Sequence, residues 1–205
     1  MIRADDVPSP TVTPGVAMSP AVTSAPILDV LAERWSTRIF DAATPIDEAA
    51  LASALEAARW APSANNTQPW RFVVARRGTA EHAQIVDALM GFNQAWAADA
   101  AALIVFAASA SLDGKPLPWA AYDTGQAAAH FTVQAHASGL YTHQMGGFHR
   151  DQIGEAFGFG DDLAAVTVMA VGALGDIDAA PETLREREQA PRTRRPIEES
   201  LVVDA

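Results

Sequence analysis

The chain has 205 residues, 49% of them hydrophobic, which is enough for one domain with its own core. Asp and Glu outnumber Lys and Arg by 25 to 14, and a net charge of −11 argues against a surface that tracks nucleic-acid phosphates. With no cysteine there is no disulfide, no thiolate metal site and no cysteine nucleophile.

The longest near-apolar run, 100–110, falls well short of the roughly 20 residues that a membrane-spanning helix needs. The start is acidic and lacks an apolar secretory stretch, so no membrane association and a cytoplasmic location are expected. Residues 1–26 hold five of the 13 prolines among Ser, Thr, Ala and Val, and read as a flexible leader. The folded domain is expected over 27–205.

Ile27, Leu28, Leu31 and Trp35 recur at helical spacing and predict a short helix. Asp47 is placed to cap a helix over 48–60, whose Leu51, Leu55 and Ala58 form one stripe and which Pro62 stops. A strand over 71–75 and a helix over 80–90 with Ile85 and Leu89 inward follow. Residues 103–107 are apolar without alternation, the pattern of a strand buried on both faces. After a loop over 109–118, residues 119–138 are Ala-rich and nearly uncharged, which predicts a helix buried in the middle of the fold. A short helix over 151–157, a buried strand over 164–173, a charge-balanced tail over 182–199 and a last strand at 201–203 complete the reading. Helices and strands mix without βαβ alternation, so the fold class is α+β, with a mostly antiparallel or mixed central sheet wrapped by helices.

Four stretches carry chemistry-bearing side chains. In Arg34-Trp35-Ser36-Thr37-Arg38 the two guanidinium groups converge whether the segment is extended, with 34, 36 and 38 on one face, or helical, with 34 and 38 one turn apart. Guanidinium forks match phosphate, and a solvated helix end is the alternative. Between Pro62 and Pro69 lie Ser63, Asn65, Asn66, Thr67 and Gln68, amides and hydroxyls suited to a heterocycle or simply to a polar turn. In His143-Gln144-Met145-Gly146-Gly147-Phe148-His149, paired glycines permit close backbone approach to a flat ligand, or a plain turn. Arg192-Thr193-Arg194-Arg195 is a basic cluster in an acidic chain.

Taken together in this order, the stretches resemble the nitroreductase family of FMN-dependent oxidoreductases. The resemblance runs from about Pro26 to Val203 and rests on Arg34, Ser36, Arg38 and Phe40, on the Ala-Pro-Ser-x-x-Asn-x-Gln-Pro-Trp loop, on Phe92-Asn93, on the Gly-Gly-Phe turn and on the terminal Arg-x-Arg. It implies a homodimer with FMN at the interface. By similarity, Arg34, Ser36 and Arg38 would hold the phosphate and the nearby flavin edge, and Arg192 and Arg194 would close over the phosphate. Pro62, Ser63, Ala64 and Asn66 would come from the partner subunit. Asn93 would bond the pyrimidine edge, and Met145, Gly146 and Gly147 would present backbone N–H groups to the flavin.

The resemblance further implies hydride transfer from NAD(P)H to the flavin and on to a small nitroaromatic, quinone or enone acceptor in a ping-pong cycle, with no protein residue acting as acid, base or nucleophile. Trp96 and Phe148 are the expected substrate-pocket walls. The chain departs from several relatives at Gly146, where they are acidic, and at Trp96, where they carry a lysine; the leader has no counterpart. Other readings are an FMN store or sensor without turnover, reductive dehalogenation, or breakdown of the flavin itself. Histidines 130, 136, 143 and 149 lack metal-ligand spacing, so no metal site is expected, and no Gly-x-Ser-x-Gly elbow marks a hydrolase.

Overall fold

Strand β2 (Ala102–Ser109) lies at the centre because almost every one of its residues is apolar and must be covered on both sides. In the computed structural model, which describes residues 20–204, it pairs antiparallel with β1 (Trp70–Arg76) on one side and β6 (Leu163–Gly172) on the other. Strand β5 (Tyr141–Met145) pairs antiparallel with β6, giving the sheet order β1-β2-β6-β5. A separate two-stranded hairpin, β3 (Ser111–Leu112) and β4 (Lys115–Pro116), turns at Asp113-Gly114, both with positive φ.

The alternation of side chains across β2 sorts the core into two layers. Leu103 and Val105 face a cluster that includes Ile85 and Leu89 from and just after α3 (Ala80–Ala88), Trp96 and Ala97 of α4 (Gln94–Ala97), and Ile153 of α6 (Arg150–Ala156). Ile104 and Phe106 face Leu51, Ala54 and Ala58 of α2 (Glu48–Arg59) and Ala127, Ala128, Phe131 and Ala135 of α5 (Ala120–Ala137). Phe106 makes edge-on contacts with Phe72 and Phe131, at centroid distances of 5.1 and 5.7 Å. The fold is therefore α+β, a four-stranded antiparallel sheet with helices on both faces.

Asp47 caps α2, its Oδ1 accepting from the amides of Ala49 and Ala50 at 2.9 and 3.0 Å. The predicted first helix is one short turn, α1 (Asp29–Glu33), with no buried residue, and Trp35 lies beyond it in extended chain. The expected leader over 1–26 lies outside the described residues as far as 19. From Pro20 to Leu28 there is no regular element, and the Ala21 amide donates to the Ala32 carbonyl at 2.9 Å.

Three expectations are corrected. Helix α5 is buried on one side only, since Ala121, Tyr122, Gly125, Ala129 and His130 are exposed. Its low charge therefore does not reflect enclosure by this chain. The stretch 182–199 is not all tail: Glu182–Glu188 forms α7, and Leu184 and Glu188, four apart, share its buried face. Leu201, Val202 and Val203 form no strand and are exposed, because no edge of the sheet reaches them within the chain.

Candidate functional site

The arginine stretch is extended. Ser36 bridges to Thr142 of β5, and Phe40 bridges to Leu174 beyond β6, so residues 36–40 run along the sheet edge. Alternation then turns Thr37 inward, where it is fully buried, and leaves Arg34, Ser36 and Arg38 on the outer face. Gly175 allows this approach, because a Cβ there would lie 2.8 Å from the Phe40 carbonyl oxygen.

Two side chains hold the stretch from inside. Glu188 of α7, only 3% exposed, accepts the Trp35 indole N–H through Oε1 at 2.5 Å and the Arg38 amide through Oε2 at 3.2 Å. His143 of β5 meets the Thr37 carbonyl through Nδ1 at 2.9 Å. Burial lowers its imidazole to about 4, with the Arg38 and Arg34 charges adding to the effect against the pull of the Thr37 and Ser36 carbonyls. The neutral ring must then carry its proton on Nδ1, since a carbonyl only accepts.

Arg34 gathers the tail. Arg192 donates to the Ala32 and Arg34 carbonyls at 2.9 and 2.8 Å, and a 3.4 Å contact joins Arg34 to the Ser36 hydroxyl. Burial, followed by the fields of Arg192 and Arg194, lowers the Arg34 guanidinium below its ordinary value. Arg34 Nε is buried without a hydrogen-bond partner. A cationic cluster holding an unsatisfied buried donor is a seat for an anion with several oxygens.

Asn93 and Gly147, from two separate stretches of the sequence, meet in the fold. Asn93 Nδ2 donates to the Gly147 carbonyl at 3.3 Å, which also accepts the Met90 amide at 2.9 Å. A Cβ on residue 147 would stand 3.2 Å from Asn93 Nδ2, so glycine keeps this turn close. Gly146 meets nothing within 4 Å and leaves open space. Met145 is buried, and its carbonyl accepts from Thr167 Oγ1 at 3.0 Å, so only its backbone borders the turn.

The loop of Pro62, Ser63, Ala64 and Asn66 is elsewhere. Ser63 Oγ accepts the Gln68 amide at 3.0 Å, and Asn65, Asn66 and Gln68 all have positive φ. Asparagine tolerates that region, while Gln68 before Pro69 is strained there. The buried carboxylate of Asp123, in the first turn of α5, fixes the loop by accepting the Ala64 amide at 3.1 Å. The arginine cluster sits near His136, in the last turn of α5, whose imidazole is lowered by burial and by the Arg34 and Arg192 charges. At 1.5 Å per residue, Asp123 and His136 are about 20 Å apart along the helix. Within one chain the loop and the arginines therefore lie at opposite ends of α5.

Trp96 and Phe148 are corrected as pocket walls: at 1% and 2% exposure they are core residues, with Trp96 stacked on Phe40 at 6.1 Å and tilted against His143 at 4.6 Å. The apolar face open beside Asn93 belongs to Phe92 and Met90. Sequence reasoning also missed Glu188, Asp123 and Arg187. The four-residue spacing of Leu184 and Glu188 was the available signal for the first; a single acidic residue in an apolar helix was the signal for Asp123.

The chain is similar to known proteins. A family model described as "Nitroreductase family" matches residues 31–95, which contain the arginine stretch, the Pro62 loop and Asn93. A solved structure described as "the oxidoreductase containing FMN" is 34% identical, with a TM-score of 0.81, covering 86% of this chain and 91% of that one. The "uncharacterized 15.4 kDa protein in ask 5'region" of Mycolicibacterium smegmatis is 35% identical over 136 residues, 63% of this chain and 92% of the relative. The oxygen-insensitive NAD(P)H nitroreductase of Enterobacter cloacae is 32% identical over 89 residues, so the chain aligns with only 41% of that protein's length.

Proposed function

The chain belongs to the nitroreductase family, and from that premise we propose that it is an FMN-dependent oxidoreductase that takes hydride from NAD(P)H and reduces a small organic acceptor of nitroaromatic, quinone or enone type. The observation that carries this reading is the cationic cluster of Arg34, Arg192 and Arg194 around an unsatisfied buried Arg34 Nε. A phosphate monoester supplies the oxygens that this donor set lacks, so the residues present fit FMN. The Gly147–Asn93 contact supports the same reading, because it brings a side-chain amide and a Cβ-free turn together next to the Phe92 ring on which Arg187 lies.

Bound FMN would supply a ring nitrogen that accepts and returns hydride, which is chemistry that no side chain provides. The residues of this chain would then bind and orient. Arg34, with Ser36 and the tail arginines, would hold the phosphate. Arg38 and Asn93 would face the polar edge of the ring system. The open space at Gly146 would leave room for a flat ring against the backbone. Glu188 and His143 keep the arginine stretch in place, and the neutral His143 adds no positive charge of its own.

Within one chain the Pro62–Asn66 loop and the arginines lie at opposite ends of α5, which supports a homodimer in which a second copy contributes its loop. A ping-pong cycle on one open face fits a site walled by Phe92 and Met90. Arg34→Ala should purify with little flavin, read as the ratio of visible to ultraviolet absorbance. A variant that keeps full flavin would overturn the phosphate assignment. Anaerobic addition of NADH or NADPH to the flavin-loaded protein should bleach it within turnover time, whereas lasting colour would mark a flavin store instead.

A further inference from the structure

The cofactor reading gives a role to Arg34, Arg38, Arg192 and Arg194, and none to Arg187. Arg34 stands with Arg192 and Arg194, which a single phosphate would satisfy. Arg38 stands instead beside Arg187 of α7, whose field, after burial, is what Arg38 feels most among charges. The Arg187 guanidinium carbon lies 4.5 Å from the centroid of the Phe92 ring. Phe92 is 38% exposed and immediately precedes Asn93, so this pair lies at the open side of the candidate site.

No carboxylate answers Arg187. Its neighbour Glu188 is turned inward, with one oxygen on the Trp35 indole and the other on the Arg38 amide. Among the described residues, the ion pairs are Arg59 with Glu56, Arg76 with Glu48 and Arg195 with Glu199. Glu188 offsets part of the charge at Arg38, whereas Arg187 has no ion-pair partner among the described residues, which leaves its charge open to an anion from solution. Stacking on Phe92 fixes the plane of the Arg187 fork and leaves its N–H edge free for a bidentate partner.

We propose that Arg187, stacked on Phe92, is the anion seat at the rim of the substrate pocket, and that the protein favours an acceptor that carries a carboxylate beside its reacting ring. The inference rests on the flavin reading of the site. Phe92 supplies the apolar surface for the ring of that acceptor and Arg187 the charge at its rim. The anionic group is the carboxylate of an aromatic acceptor; the extra phosphate that separates NADPH from NADH sits on the adenosine ribose, remote from the nicotinamide, so the two nucleotides serve as a control pair.

The test uses the flavin-loaded protein and its Arg187→Gln variant. Binding of 4-nitrobenzoate and of uncharged 4-nitrobenzyl alcohol is titrated through the change in flavin absorbance, without turnover. KM is measured for NADPH and NADH with a neutral quinone. In Arg187→Gln, the charged-to-neutral preference should fall about tenfold in the nitrobenzoate pair and stay unchanged in the nucleotide pair. A fall confined to the nucleotide pair would overturn the proposal, since it would set Arg187 against the adenosine end of the donor instead. Arg187→Lys should recover part of the preference, since it restores charge without the fork. Equal changes within both pairs, or no change in either, would overturn the proposal. Flavin content, measured separately, distinguishes the two readings: a wild-type chain that takes up no FMN overturns the cofactor reading and the seat with it, while a flavin-replete protein without anion preference overturns the seat alone.

Discussion

His143 and Glu188 contact no solvent-facing chemistry of their own, yet they decide where Arg34 and Arg38 point. One holds a carbonyl and the other an amide of the same five-residue stretch, so its outward face is set from within. His143 also makes that arrangement sensitive to pH. Its imidazole is depressed from 6.5 to about 4, so its contribution to stability is fully present above pH 6.5 and is lost as the pH falls toward 4. His82 and His136, also lowered by burial, act in the same direction. Between pH 7.5 and 5, urea melts should show His143 alone removing on the order of 2 kcal/mol, at about 1.4 kcal/mol for each pH step below 6.5. A His143→Gln variant should lose stability less steeply over that range; an unchanged slope would remove His143 from this account.

Elements with strong local signals matched their sequence closely. Helix α2 is an example, because its start depends on one side chain, Asp47, and its buried face on a stripe of Ala and Leu. Asp47→Ala should lower stability by about 1 kcal/mol in urea melts, since two amides lose their acceptor and no other side chain stands in. Flavin content should not change, because the Asp47 side chain bonds only to the amides of its own helix; a large flavin loss would show the cap acting on the site. Strand β5 and helix α7 were less legible. Tyr141–Met145 mixes polar and apolar residues before a glycine pair, so its turn signal masked the strand. In α7 the alternating Glu and Arg resembled solvated chain, and its single buried leucine gave too weak a stripe.

At the scale of the molecule, the open face of α5 matters most. Tyr122, Gly125 and Ala129 lie on it, and Trp119, 62% exposed, stands at its start near Tyr122 and the Pro62 loop. A cavity of about 260 Å³ between that loop and Trp119, Tyr122, Asp123 and Gln126 adds to the relief. So much exposed aromatic and small-residue surface is characteristic of an interface. If a second copy covers it, Ala129→Arg should sediment as a monomer and lose flavin together. A monomer that retains flavin would contradict the shared site.

The sequence alone determined the ingredients: a helix cap at Asp47, a doubly buried strand at β2, an α+β class, and a set of arginines, amides and glycines that resembles a flavin site. Those features depend on periodicity and on residue types close in the chain, so they survive without coordinates. Tertiary structure decided what requires distant segments to meet. It enclosed Trp96 and Phe148 in the core, left Phe92 open, brought Glu188 across 150 residues to the Arg38 amide, and separated the Pro62 loop from the arginines by the length of α5. None of these can be read from local spacing, because each is set by how two layers close over one sheet.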